Sequence, residues 1–326
     1  MKYPKFLNEK YNTIGVCAMS SGVGHKLDSF DASIEYIESN GFHIVETASV
    51  RNNSEPSIDA KTRVDELNSL VNDSSVGAVW LAAGGDFQFE TLPYIDFDWI
   101  EKNPKWYLGA SDPTNLLFPI TCKCHLATVY GFNAGSFDEY GINEYSSLCL
   151  DFLKGKNSKL HSSSMHQDVD FYNDGAPILN TKTEYVGNCS VVGRLLGGCF
   201  ESINDMAGTP YDFVEVFNER YKLDGIIWFF DIFSMNSCDV YRALLKMKYM
   251  GYFKYTKAIL VGRVLFKNVS DLIGYEDAFK KALPDINVVF QVDIGHTYPH
   301  MYVVNGAMAR VEIKDGHGTI NYEIKE

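Results

Sequence analysis

Short apolar runs alternate with amphipathic stretches through the first 110 residues. Thr13–Met19 (TIGVCAM), His43–Thr47, Val76–Ala83 (VGAVWLAA) and Lys105–Ala110 (KWYLGA) read as strands. The continuous apolar character of the first and third predicts strands buried on both faces of a parallel sheet. Between them, Phe30, Ile34 and Ile37 recur at helical spacing and end at Asn40-Gly41, a C-cap signal. Ser57 is a candidate N-cap for a second helix whose apolar face is Val64, Leu67, Leu70 and Val71. Strand, helix, strand, helix, strand defines an α/β fold, in which ligands gather off the carboxyl ends of the strands.

The pattern then changes. Residues 154–185 are polar and rich in Ser, Asn, Asp and Gly. This predicts an N-terminal α/β domain over 1–160, a linker over 161–185 and a C-terminal domain over 186–326. The second half holds an apolar run at Gly225–Phe230, a helix around Val240–Met250, a strand-like Ala258–Val264, and an alternating stretch, Ala309–Ile324, folded about Asp315-Gly316 as a β-hairpin. No repeat is present.

Composition narrows the class. The 326 residues suffice for two domains, and 46% hydrophobic, 22% charged residues with only 10 Pro exclude a disordered or fibrous chain. No run approaches the roughly 20 apolar residues that span a bilayer, so no membrane partner is expected. With 29 Lys+Arg against 42 Asp+Glu, the net charge of −13 excludes a nucleic acid polymer as partner. The N-terminus has no apolar core of a signal peptide, and the seven cysteines are scattered and odd in number, which together predict a cytoplasmic protein with reduced thiols. Cys122-Lys-Cys124-His125 lacks a second ligand pair and reads as buried thiols rather than a metal site.

Two strand ends carry candidate chemistry. Gly84-Gly85 follows the third strand and lets a ligand approach exposed backbone N–H groups. Gly109-Ala-Ser111-Asp112-Pro113-Thr114 follows the fourth, with Asp112 as N-cap and Pro113 at the first helical position. Ser111 would then occupy a strand-to-helix turn, where N–H groups and the positive helix end can hold an oxyanion. The hexapeptide is not the G-x-S-x-G elbow. The glycine fingerprint of a dinucleotide site is also missing, Ser20-Ser21-Gly22-Val23-Gly24 being the nearest approach. Of the eight histidines, His296 in Val-Asp-Ile-Gly-His has the most suggestive setting, with His300 close behind. Asp231 closes the apolar run Ile226–Phe230 and is the candidate acid, with Glu201 as an alternative.

In their order and spacing these pieces resemble the LD-carboxypeptidase family of serine peptidases, which includes the microcin C self-immunity peptidases. The likeness runs from Ser20-Ser21 through Arg63, Gly84-Gly85, Pro104-Lys105 and the Ser111 hexapeptide. It continues with Gly193-Arg-Leu-Leu-Gly197-Gly198-Cys, Gly208-Thr209, Asp231, Gly262-Arg263 and Gly295-His296. The resemblance implies a flavodoxin-like N-terminal domain and a β-rich C-terminal α/β domain. It implies a triad of Ser111, the position of Asp231, and His296, and an oxyanion hole from the N–H groups of Gly85 and Asp112. It further implies cytoplasmic homodimers that need no metal or cofactor, and cleavage of an amide next to a free carboxylate in a small peptide-like substrate. In the cell-wall enzymes that substrate is a murein tetrapeptide; in the self-immunity type it is an aminoacyl-nucleotide. A binding homologue without catalysis is the reading from another class. Arg194, just before Gly197-Gly198, is a candidate partner for the substrate carboxylate.

Two positions depart from the family. Asp231 stands where the family has glutamate, so its carboxylate is expected to fall about 1.5 Å short of the histidine unless the backbone moves. Tyr130-Gly131-Phe132 stands where many members have His-Gly-Pro.

Overall fold

The computed structural model describes residues 1–137, 140–156, 159–168 and 177–324. Two compact units divide it: Met1–Ser158 with Tyr302–Gly306, and Lys159–Met301 with Ala307–Ile324.

The first unit is built on β1 (Thr13–Cys17), β2 (His43–Glu46), β3 (Val76–Leu81), β4 (Trp106–Gly109) and β5 (Thr128–Tyr130). Its sixth strand, Val303–Asn305, arrives late in the chain and is β13 in chain order. The sheet order is β13-β5-β4-β3-β1-β2. All pairs are parallel except β13 against β5. Every residue of β3 is buried, as its uninterrupted apolar run requires. Among the described residues, α1 (Leu27–Ser39), α2 (Ala60–Asn72), α3 (Phe97–Lys102), α4 (Thr114–Cys124) and α5 (Tyr145–Leu153) accompany the strands. The buried face of α1 includes Phe30, Ile34 and Ile37, and that of α2 includes Val64, Leu67, Leu70 and Val71, as the spacing predicts.

Three local expectations differ. Asp59, not Ser57, caps α2, accepting from the Thr62 N–H at 3.0 Å. The Ser57 hydroxyl instead donates to the Ala18 carbonyl at 2.8 Å, and Arg63 takes the Met19 carbonyl at 2.8 Å, which ends β1 at Cys17. Asp112 does not cap α4. Pro113 precedes the helix with helical dihedrals, and the Asp112 carboxylate accepts no main-chain N–H of α4.

The second unit contains β6 (Lys159–His161), β7 (Met165–Gln167), β8 (Leu179–Lys182), β9 (Cys189–Cys199), β10 (Ile226–Asp231), β11 (Thr256–Gly262), β12 (Val288–Val292), β14 (Met308–Lys314) and β15 (His317–Tyr322). Helices α6 (Phe200–Met206), α7 (Val214–Tyr221), α8 (Ser237–Tyr249) and α9 (Tyr275–Ala282) connect them. The seven-stranded order is β12-β11-β10-β9-β14-β15-β6. It is parallel from β12 to β9 and antiparallel from β9 to β6. The hairpin forms at the expected place: Lys314 pairs with His317 across Asp315-Gly316, both with positive φ.

The segment read as a linker, 161–185, differs from that expectation. It carries β7 and β8, which pair with each other, and its residues 169–176 lie outside the described residues. Its polar composition belongs to short strands with exposed faces, and Thr183 and Tyr185 are buried. The fold is thus α/β, with a parallel-sheet N-terminal part and a β-rich C-terminal part.

Candidate active site

In each unit the candidate groups lie at the carboxyl ends of parallel strands, and in the second β11 stands between the two strands that carry them. In the first, β1, β3 and β4 are neighbours, and the segments leaving them carry Ser20, Gly84-Gly85 and Ser111. Ser111 has φ of 69°, a left-handed conformation that costs a non-glycine residue about 1–2 kcal/mol. The surroundings hold it there. The Asn133 side chain accepts from the Ala110 N–H at 2.9 Å and donates to the Ala110 carbonyl at 3.1 Å. The Ser111 N–H donates to the Tyr130 hydroxyl at 3.1 Å, and its carbonyl accepts from the Thr114 N–H at 2.9 Å. The departure at Tyr130 therefore touches the Ser111 amide directly.

The Ser111 hydroxyl is half-buried and makes no hydrogen bond among the described residues. A Cβ added to Gly84 would lie 3.4 Å from Ser111 Oγ, so the two loops pass in close contact. Gly85 has φ of 136°, and a side chain there would run into Ser20, Ser21 and Glu55. Only glycine fits that backbone. The N–H groups of Gly85 and Asp112 have no acceptor among the described residues.

Asp112 is 6% exposed, and its carboxylate accepts from the Ser20 hydroxyl, the Gln88 N–H at 2.9 Å and Asn115 Nδ2 at 2.6 Å. Burial raises its pKa against the pull of these hydrogen bonds. Arg63, fully buried on α2, donates to the Met19 and Phe87 carbonyls and pairs with Glu90, tying the β1 and β3 ends together.

In the second unit, Asp231 ends β10. Its carboxylate receives His296 Nδ1 at 3.0 Å on one oxygen, with the other at 2.8 Å. Asp231 is 1% exposed, whereas the His296 side chain keeps 21% of its surface open. Aspartate is long enough here because the histidine segment comes in close. Gly295, at φ of 102°, leaves no room for a Cβ, which would overlap the Asp231 carboxylate. The expected shortfall of the shorter acid is thus absent.

Burial lowers the pKa of His296, but Asp231 and the charge of Glu201 outweigh it and the net shift is upward. His300 moves the other way, pushed down to about 4 by burial and by His296. Glu201 does not contact the imidazole. Its Oε1 collects the N–H groups of Phe233, Ser234 and Met235, fixing the loop after β10. Phe233 lies against the His296 ring, with centroids 4.6 Å apart.

A buried network steadies the His296 segment. Asp293 and Arg263, both fully buried, pair at 2.5 Å. Asp293 also accepts from the Ser163 N–H at 2.7 Å and the Tyr185 hydroxyl at 2.7 Å, and Arg263 also donates to the Gln291 and Pro299 carbonyls.

Arg194 requires a correction. On β9 it is in register with Ile226, the first residue of β10, whereas Cys199 pairs with Asp231. Five residues of strand separate the two positions, roughly 16 Å. Its Nε is committed to Asp224 at 2.7 Å and its guanidinium stacks on Tyr221. It lies at the wrong end of the strands to meet a substrate beside His296.

Asn133, Gln88, Asp293, Tyr185 and Ser163 escaped the sequence reading. Each matters through a partner distant in sequence, and only Asp293 lies in a motif singled out above, Val-Asp-Ile-Gly-His. Asp293, two residues before Gly295, was the one with a positional hint. Among the described residues, no group of three His, Cys, Asp or Glu side chains is arranged to hold a metal ion. Cys122 and Cys124 are buried on α4, with the Cys124 thiol pushed up to about 12 by burial, and left-handed His125 terminates that helix. Among the described residues, no helix is long and apolar enough to cross a membrane.

The first unit thus carries a serine in a left-handed turn after one parallel strand, and the second a carboxylate–imidazole pair at the end of another. Residues 14–131 match the LD-carboxypeptidase N-terminal domain, and residues 192–311 match the LD-carboxypeptidase C-terminal domain. A putative carboxypeptidase of Treponema pallidum is 31% identical over 77% of this chain and 74% of its own. The Microcin C7 self-immunity protein MccF of Escherichia coli is 25% identical over 87% and 85%. The crystal structure of muramoyltetrapeptide carboxypeptidase from Oxalobacter formigenes shares the fold, with a TM-score of 0.76, 19% identity and coverage of 96% of this chain and 99% of that one. The chain belongs to the LD-carboxypeptidase family and is a peptidase of that class.

Proposed function

We propose that the protein is a serine-type carboxypeptidase that cleaves an amide bond beside a free carboxylate in a murein-like peptide. Ser111 attacks the carbonyl carbon while His296 takes its proton. The N–H groups of Gly85 and Asp112 bind the developing oxyanion. Collapse of the tetrahedral intermediate expels the amine, which receives the proton from His296. Water then attacks the acyl-enzyme by the same route in reverse, freeing the acid and regenerating Ser111. Asp231 holds the imidazole with Nδ1 protonated and Nε2 free to act as base.

The observation that carries this reading is the Asp231–His296 pair, at 2.8 and 3.0 Å, on an imidazole that stays partly open to solvent. A structural histidine bonded to a buried carboxylate has no need of such an opening. The test measures release of the terminal D-residue from a murein tetrapeptide by the wild type and by Ser111→Ala. The proposal expects turnover that falls by several orders of magnitude in the variant. Equal turnover by both would refute the nucleophile.

MccF has been solved in complex with aspartyl sulfamoyl adenosine, and the likeness to it supplies a second substrate, an aminoacyl sulfamoyl adenosine, run in the same assay. Faster hydrolysis of that compound than of the tetrapeptide would reassign the substrate while keeping the chemistry. Absence of turnover on both would point to a binding homologue.

A further inference from the structure

We propose that the Asp112 side chain is a positioning residue that sets the register between the two loops carrying the oxyanion-binding N–H groups. The inference rests on the reading of Ser111, Gly85 and Asp112 given above, and concerns a side chain to which that reading assigns no role. The three donors to the carboxylate come from three segments: Ser20 after β1, Gln88 after β3, and Asn115 in the first turn of α4. Ser20 Oγ in turn accepts from the Phe87 N–H at 3.2 Å. The carboxylate therefore grips the loop after β3 at two consecutive residues, directly at 88 and through Ser20 at 87. That loop holds Gly85. The other N–H group belongs to Asp112 itself, one residue beyond the strained Ser111.

The carboxylate is suited to this task in a way its isosteres are not. It offers two oxygens to three donors and presents no N–H of its own. Bonds to a charged acceptor are about twice as strong as neutral ones. The Gln88 side chain is fully buried, and neither of its polar atoms is hydrogen-bonded among the described residues, so residue 88 is tied through its main-chain N–H. The Ser20 hydroxyl and the Gln88 N–H share one carboxylate oxygen and Asn115 takes the other, so asparagine at 112 would offer the first two a neutral acceptor in place of a charged one, turn an NH2 toward Asn115, and hold the loop after β3 less firmly against Ser111. Both oxyanion donors would remain present, but their separation would no longer be fixed.

The test uses a fluorophosphonate, which phosphonylates an active serine and places its P–O oxygen in the oxyanion site, and so does not depend on the natural substrate. Inactivation of the full chain is followed for the wild type, Asp112→Asn, Ser20→Ala and Ser20→Thr, with the adduct mapped by mass spectrometry and folding followed by circular dichroism. Asp112→Asn is expected to react at Ser111 with kinact lowered about 100-fold, the scale of losing one oxyanion donor, while the inhibition constant changes less than about threefold. Ser20→Ala should show the same split at about tenfold, and Ser20→Thr, which keeps the hydroxyl, should restore the rate. A wild-type kinact in folded Asp112→Asn overturns the proposal alone. If Asp112→Asn fails to fold, Ser20→Ala decides, and an unchanged kinact there overturns it. A wild type that is not labelled at Ser111 overturns the nucleophile reading, and this inference with it.

Discussion

Restoring glutamate at position 231 is expected to damage this protein, although its family carries glutamate there. The Asp231 carboxylate is buried, already reaches His296 Nδ1 at 2.8–3.0 Å, and abuts Gly295 so closely that a methyl group on that residue would overlap it. One further methylene has nowhere to go except into the Gly295–His296 backbone. Overpacking of this kind costs about 1–3 kcal/mol. At about 2–4 °C per kcal/mol for a unit of this size, the melting temperature should fall by about 2–12 °C. The imidazole would shift by up to about 1 Å, and a misplacement of that size can lower turnover about 100-fold. Asp231→Glu would be compared with the wild type by thermal melting under circular dichroism and by fluorophosphonate labelling of Ser111. A variant as stable and as reactive as the wild type would refute the idea that the histidine loop has closed around the shorter acid.

Other expectations concern the same neighbourhood. The His296 pKa is raised in the fold, so a base that must be neutral loses activity as pH falls through a value above the ordinary histidine pKa of about 6.5. In Asp231→Asn, burial acts against little but the Glu201 charge, and the acid limb should move to lower pH while the maximal rate falls by about 10⁴; pH–rate profiles and NMR titration of the imidazole both read this. The same shift makes His296 a source of stability below about pH 6.5 that is lost as pH rises through its folded pKa, seen in melting temperatures of wild type but not of His296→Gln. Asp293→Asn leaves the buried Arg263 guanidinium without its counter-charge and should cost about 3–5 kcal/mol, measured by urea denaturation. Asn133→Ala removes both side-chain bonds to Ala110 and should slow Ser111 labelling about tenfold with a small change in melting temperature.

Patterns confined to one element were legible in the sequence. The helical faces of α1 and α2, the buried run of β3 and the Asp315-Gly316 hairpin follow from local periodicity and turn chemistry, which act over a few residues. The place of the turn that carries Ser111 was legible too, though not its capping, since Asp112 turns its carboxylate to Ser20 and Gln88. What escaped depends on chain segments that meet only after folding. Asn133 reaches Ala110 because β5 pairs with β4, and Ser163, Tyr185, Arg263 and Asp293 converge from four separate stretches. Arg194 stands close in sequence to the Gly197-Gly198 pair, but strand direction places it at the other end of β10. The linker expectation over 161–185 misread edge strands, whose exposed faces are as polar as a loop.

The late strand Val303–Asn305 has a consequence for how the protein can be made and divided. The first unit is not encoded by a continuous stretch: its sheet lacks the strand beside β5 until Val303–Asn305 have left the ribosome. Tyr302 packs its ring against Phe152, and Gly306 lies against Met1, so the insertion is stitched to both ends of the unit. A fragment stopping at residue 158 would bare an unpaired strand edge, which invites association with other chains. Excision of the Ser111 half therefore demands grafting residues 302–306 back onto it, and a nascent chain cannot finish its N-terminal half before most of its C-terminal half exists.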